Sequence, residues 1–103
     1  MKKRNIKVEQ LENKNQFVLS TEKGKYFQSY NSLVAFYDYD KRTLTLGQHW
    51  DYSQTTRKHL YIFINEYCYL EEVERELRNS KNKRQTIIKL LRDKVVKFDK
   101  NMF

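Results

Sequence analysis

The chain has no proline, two glycines and one cysteine in 103 residues. With glycine only at Gly24 and Gly47, nothing in it reads as a linker, a repeat or a low-complexity stretch. A length of 103 residues supports one modest core. One domain is therefore expected over residues 1–103, mainly β over 1–48 and mainly α over 49–103. The lone Cys68 excludes an internal disulfide and suits a reducing compartment. No apolar run is long enough to span a bilayer. The basic start, Met1-Lys-Lys-Arg, lacks the apolar stretch of a secretory signal. These absences predict a cytoplasmic protein with no membrane partner.

Histidine is scarce too. His49 and His59, with a single cysteine, cannot close a four-ligand zinc site. Nucleophile-elbow, phosphate-loop and HExxH patterns are missing. His59 follows Thr55 and Thr56 by one helical turn, which brings a hydroxyl and an imidazole within reach, but such pairs arise by chance in most chains of this length. Cys68, inside Tyr67-Cys-Tyr, reads as a core residue and not as a reactive thiol. The expectation is a protein that is not an enzyme, with no catalytic residue, metal, cofactor or small-molecule substrate.

What the chain does have is aromatic residues and positive charge. Eight tyrosines, six phenylalanines and one tryptophan make up 15% of it. Each ring can bury about 150–250 Å², which offsets an apolar fraction of only 39%. The net charge is +8, divided as +3 over residues 1–51 and +5 over 52–103. Between Arg78 and Arg92 there are six basic residues and no acidic one. Such a field favours nucleic acid or an acidic protein surface.

Period-2 patterning predicts strands at residues 6–11, 16–21, 25–30, 33–38 and 43–47. Gly24 is expected to supply a positive φ in the turn at Glu22-Lys-Gly-Lys. Ser53 reads as a helix N-cap, with Asp51 near the positive helix end. The helix is expected over 54–67, with Leu60, Phe63, Ile64 and Tyr67 on its inner face. A second helix is expected over 70–78, burying Leu70, Val73 and Leu77. Its Glu71–Arg75 and Glu74–Arg78 spacings suit surface ion pairs. A third is expected over 83–91, burying Ile87, Ile88 and Leu91, with Arg84 at its border and Lys81, Lys89 and Arg92 outward. Residues 95–98 suggest a short last strand. The fold class is α+β: an antiparallel meander followed by two or three helices on one face.

Two candidate sites follow. The main one is the basic cluster Arg78, Lys81, Lys83, Arg84, Lys89 and Arg92, suited to phosphate contacts. The second is Tyr52, Arg57 and Lys58 in the Trp50-Asp-Tyr-Ser-x-Thr-Thr-x-Lys58 segment, at a helix start where free N–H groups favour anions. The same segment is also explained by capping, with Trp50 as an anchor. Tyr26, Tyr30, Tyr37 and Tyr39 would offer stacking surfaces if exposed.

The run Tyr26-Phe-Gln-Ser-Tyr30 with Val34-Ala35, followed by Leu46 and Trp50-Asp-Tyr-Ser-x-Thr-Thr-x-Lys58, resembles a module of small phage and mobile-element proteins from low-GC Gram-positive bacteria. The resemblance covers about Gly24 to Phe63. Where such proteins often carry Tyr-Arg after the lysine, this chain has His59-Leu60. Small charged proteins of this kind resemble phage-encoded anti-CRISPR proteins of the type II-A class. That resemblance implies a type II CRISPR effector nuclease or its guide RNA as the partner. A chain of charge +8 is a poor mimic of DNA, so guide RNA or an acidic protein surface is the expected target. The alternative is a basic nucleic-acid-binding accessory protein of a phage or mobile element with no defence role.

Overall fold

The structure, a computed structural model, describes residues 6–11 and 14–102. The basic start at residues 1–5 lies outside them. Six strands run in sheet order equal to chain order: β1 (Lys7–Gln10), β2 (Gln16–Ser20), β3 (Gly24–Ser29), β4 (Ser32–Asp38), β5 (Thr43–Gly47) and β6 (Lys97–Asp99). The first five form the antiparallel meander that the alternation predicts, while β6 joins β5 in parallel. The connection from β5 to β6 consists of three helices: α1 (Gln54–Tyr67), α2 (Glu71–Arg78) and α3 (Lys83–Arg92).

Cross-strand register explains the core. Val18, Phe27, Ala35 and Leu46 face one another in a row across β2 to β5, and all four are buried. Tyr37 and Leu44 form the next buried row. Alternate residues Leu19, Tyr26 and Phe36 fall on the opposite, half-buried face, where the Tyr26 and Phe36 rings meet at 4.4 Å. A sheet with one packed and one wetter face is what alternation produces.

The helix α1 covers the packed face at β2 and β3. Its buried residues are Thr56, His59, Leu60, Phe63 and Ile64, at the i, i+3, i+4, i+7, i+8 spacing of one helical face. Phe63 stacks on Phe27 at 5.8 Å. Burying each such side chain contributes about 1.5–3 kcal/mol. Trp50, only 7% exposed, closes the corner between β5 and α1.

Gly24 departs from expectation. It sits inside β3 with an ordinary φ; the positive values belong to Tyr30 (56°), Arg42 (52°) and Lys94 (61°). Glycine is needed at 24 because of close approach: a Cβ there would collide with the Tyr37 carbonyl oxygen. The turn at 21–24 is held instead by Thr21, whose hydroxyl donates to the Gly24 carbonyl at 2.9 Å.

The inner face of α3 gains one residue. Ile87 is buried as expected and Ile88 and Leu91 pack half-buried against the core, but Leu90, not expected there, is buried as well. α3 packs chiefly on α2. Val96 is buried just past its end, where the Val95 and Val96 amides donate to the Leu90 carbonyl. Leu70 is half-buried and precedes α2 instead of lying within it. No ion pair among the described residues joins Glu71 to Arg75 or Glu74 to Arg78. A slip in register between Phe27 and Gln28 leaves Val34 without an opposite residue on β3. Such bulges redirect side chains locally.

Candidate nucleic-acid interface

The start of α1 is built as its sequence suggests. Ser53 is extended (φ −153°) and its hydroxyl accepts the Thr56 N–H at 3.1 Å. The Ser53 hydroxyl also donates to the Thr56 hydroxyl oxygen at 3.1 Å, and Thr56 meets the buried Ser29 hydroxyl at 2.9 Å. This hydroxyl chain ties the first turn of α1 to the end of β3.

Asp51 is the electrostatic centre of the region. It pairs with Arg57 at 2.8 Å and with Arg84 Nη2 at 2.7 Å, and Arg84 Nε donates to both carboxylate oxygens. One carboxylate thus links the segment before α1 to the first turns of α1 and α3. The hydrogen bond from Arg84, backed by that from Arg57, holds the Asp51 carboxyl below its ordinary value against the opposing effect of burial. The same bond raises the already high value of Arg84. Arg84, predicted at the border of the apolar face, is exposed and spends part of its donor fork on Asp51.

Around this centre lies a groove of about 500 Å³ between α1 and the start of α3. Arg57, Lys58 and Gln54 form one wall; Lys81, Lys83 and Arg84 form the other, with Tyr61 and Asn82 between. Five cations from two separate stretches of sequence line this one groove, and two of them, Arg57 and Arg84, hold the Asp51 carboxylate. Lys81 and Lys83 are exposed, and neither has an ion-pair partner among the described residues. Asn82 caps α3 by accepting the Gln85 N–H at 3.1 Å, which fixes the junction between the loop that carries Lys81 and the helix start at Lys83.

The remaining predicted residues separate from this groove. Arg78 lines a neighbouring depression of about 370 Å³ shared with Lys83 and Glu74. Lys89 and Arg92 are exposed further along α3 and line neither concavity; Arg92 stands 3.9 Å from Asp93. Tyr52 is 73% exposed and lines a third cleft, on the other side of the first turn of α1. Of the meander tyrosines, Tyr37 is buried, Tyr26 and Tyr39 are half-buried, and Tyr30 is exposed. Gln54, Tyr61 and Asn82 were not singled out by sequence. The signal for Asn82 was present, as a capping residue type three positions before Gln85.

His59 makes no hydroxyl pair. Its Nδ1–H donates to the Thr55 carbonyl at 2.8 Å, because a carbonyl only accepts. Nε2 is buried without a partner among the described residues, as are both amide atoms of Gln16. Cys68 is buried, and burial pushes its thiol far up, away from thiolate chemistry. Among the described residues no cluster of His, Cys, Asp or Glu could hold a metal ion, and no helix is long and apolar enough to cross a membrane.

Comparison with known proteins adds one match. Residues 1–85 fit the model of a family described as of unknown function, DUF8033. No curated protein and no solved structure matches the chain.

Proposed function

The chain belongs to DUF8033, a family of unknown function, and from that premise we propose that it is a non-enzymatic binding protein which takes the phosphate backbone of single-stranded RNA into the groove between α1 and α3. One observation carries the reading: Arg57 and Lys58 meet Lys81, Lys83 and Arg84 around a single groove, although the two sets lie apart in sequence. Lysine and arginine gathered along one groove neutralise phosphates and release counterions. Asp51 keeps two of the arginines from splaying, so the groove is ordered before any ligand arrives.

The resemblance of residues 24–63 to phage proteins gives the proposal its setting. The RNA is then the guide RNA of a type II-A effector nuclease inside the bacterial host cell. The protein acts as an inhibitor that engages the guide, alone or on the effector, and disturbs assembly. A direct test measures fluorescence anisotropy of labelled single-stranded RNA with the purified chain at rising salt. The expected result is binding that weakens steeply between about 50 and about 200 mM salt. Absent or salt-independent binding contradicts the groove. Pull-down of the effector with and without guide RNA, alongside a targeting assay in cells, separates a defence inhibitor from an accessory protein. Guide-dependent capture with loss of targeting supports the inhibitor, and RNA binding with intact targeting supports the accessory role.

A further inference from the structure

We propose that the cleft on the opposite side of the first turn of α1 holds an unpaired base of the RNA whose phosphates occupy the basic groove, with Tyr30 and Tyr52 as its stacking faces. The inference rests on the groove reading above and extends it from the backbone to the bases.

The cleft encloses about 570 Å³, within the range of ligand-binding pockets. Among the described residues no Lys, Arg, Asp or Glu lines it, so it suits a neutral group and not a phosphate. Its floor is finished: the Ser29, Ser53 and Thr56 hydroxyls are engaged with one another. Its walls are not. The side chains of Asn31, His49 and Thr55 have no hydrogen-bond partner among the described residues. An amide, an imidazole and a hydroxyl together supply the donors and acceptors that the polar edge of a base requires.

Two rings stand at this cleft, and neither packs on another ring among the described residues. Tyr52 is 73% exposed and Tyr30 45%. Both are presented on fixed backbone. The Tyr30 amide donates to the Asn15 carbonyl at 2.8 Å, and its carbonyl accepts from Gln28 Nε2 at 2.8 Å. The Tyr52 amide donates to the His49 carbonyl at 3.1 Å. Tyr30 also holds a positive φ of 56°, a place in a tight turn that Gly or Asn ordinarily takes.

Geometry joins the two concavities. Ser53, Thr55 and Thr56 turn toward the cleft, and Gln54, Arg57 and Lys58 toward the groove. A single helical turn, a body about 10–12 Å across, separates them. A strand lying in the groove and crossing the start of α1 can place one base in the cleft that both tyrosines line.

The test uses the full chain and three probes of equal charge: oligouridylate, an abasic strand of the same length, and a short RNA duplex. The wild type should bind oligouridylate most tightly. Tyr30→Ala and Tyr52→Ala should each weaken oligouridylate binding by about 5- to 150-fold. Binding of the abasic strand and its salt slope should be unchanged, and Tyr52→Phe should restore affinity. Equal wild-type binding of all three probes, or alanine variants that bind oligouridylate as the wild type does, overturns the base site while leaving the groove standing. Failure of the wild type to bind any probe removes both.

Discussion

Thr56 offers the sharpest check on how the site is assembled. It is 1% exposed, and its hydroxyl meets those of Ser29, itself 4% exposed, and Ser53. Thr56→Val keeps the shape and removes the hydroxyl. The Ser53 cap still accepts the residue-56 amide, so the helix start survives. Ser29 Oγ, however, is left buried with no partner, which costs about 1–3 kcal/mol. Ser29→Ala should cost less, about 0.5–1.5 kcal/mol, because the Thr56 hydroxyl retains its bond from Ser53. The double variant has no orphaned hydroxyl between strand and helix. It should therefore be more stable than the sum of the single losses predicts, with a coupling of about 0.5–3 kcal/mol. Urea unfolding followed by helix dichroism measures all four proteins, and each kcal/mol also moves Tm by about 4–8 °C in a domain near this size. Strictly additive losses, or a Thr56→Val protein as stable as the wild type, would refute the argument that this hydroxyl chain fastens α1 to the sheet.

Three further outcomes follow from the packing and the charges. Trp50→Ala should lower stability by about 3–5 kcal/mol, as for other large aromatics removed from cores; unchanged melting would make Trp50 a surface feature. Gly24→Ala should cost about 3 kcal/mol or more, because its Cβ overlaps the Tyr37 carbonyl oxygen and β3 must move away from β4; a wild-type denaturation midpoint would show that the strands yield freely. The Asp51 carboxyl titrates below its unfolded value, so its contribution is complete above that value and disappears as pH falls through the lowered one. Wild type should then lose more stability than Asp51→Asn on acidification from about pH 5 to about pH 3, and parallel acid-unfolding curves would contradict the ion-pair account.

The strands and helices were largely legible because alternation and 3.6-residue periodicity are local signals. Thr43–Gly47 and Gln54–Tyr67 fall where the patterns end, at a tight corner and at a Ser cap. The turn chemistry was less legible. Only two glycines are available, and neither has a positive φ; Tyr30, Arg42 and Lys94 take those places, which residue preference does not suggest. On α3 the inward positions Ile87, Ile88 and Leu91 were legible, but Leu90, buried more deeply than Ile88 and Leu91, was not, because the helix packs on α2, whose position in space the sequence does not give. The basic cluster was visible as composition, but its division was not. Lys81, Lys83 and Arg84 join Arg57 and Lys58, while Lys89 and Arg92 lie elsewhere, and that depends on a tertiary pair, Asp51 with Arg84, separated by 33 residues.

The most direct measurement of the central claim compares wild type with Lys81→Glu/Lys83→Glu in RNA binding across a salt series. Both lysines are exposed, and the pair leaves the Asp51–Arg84 bridge untouched, so the melting temperature should hold. Reversal at Arg84 would confuse the result by placing a second carboxylate against Asp51. The account predicts weaker binding at low salt, and a log–log slope shallower by about 0.7 for each lysine that had neutralised a phosphate. A folded double variant with wild-type affinity and an unchanged slope would contradict it and place RNA binding away from this groove.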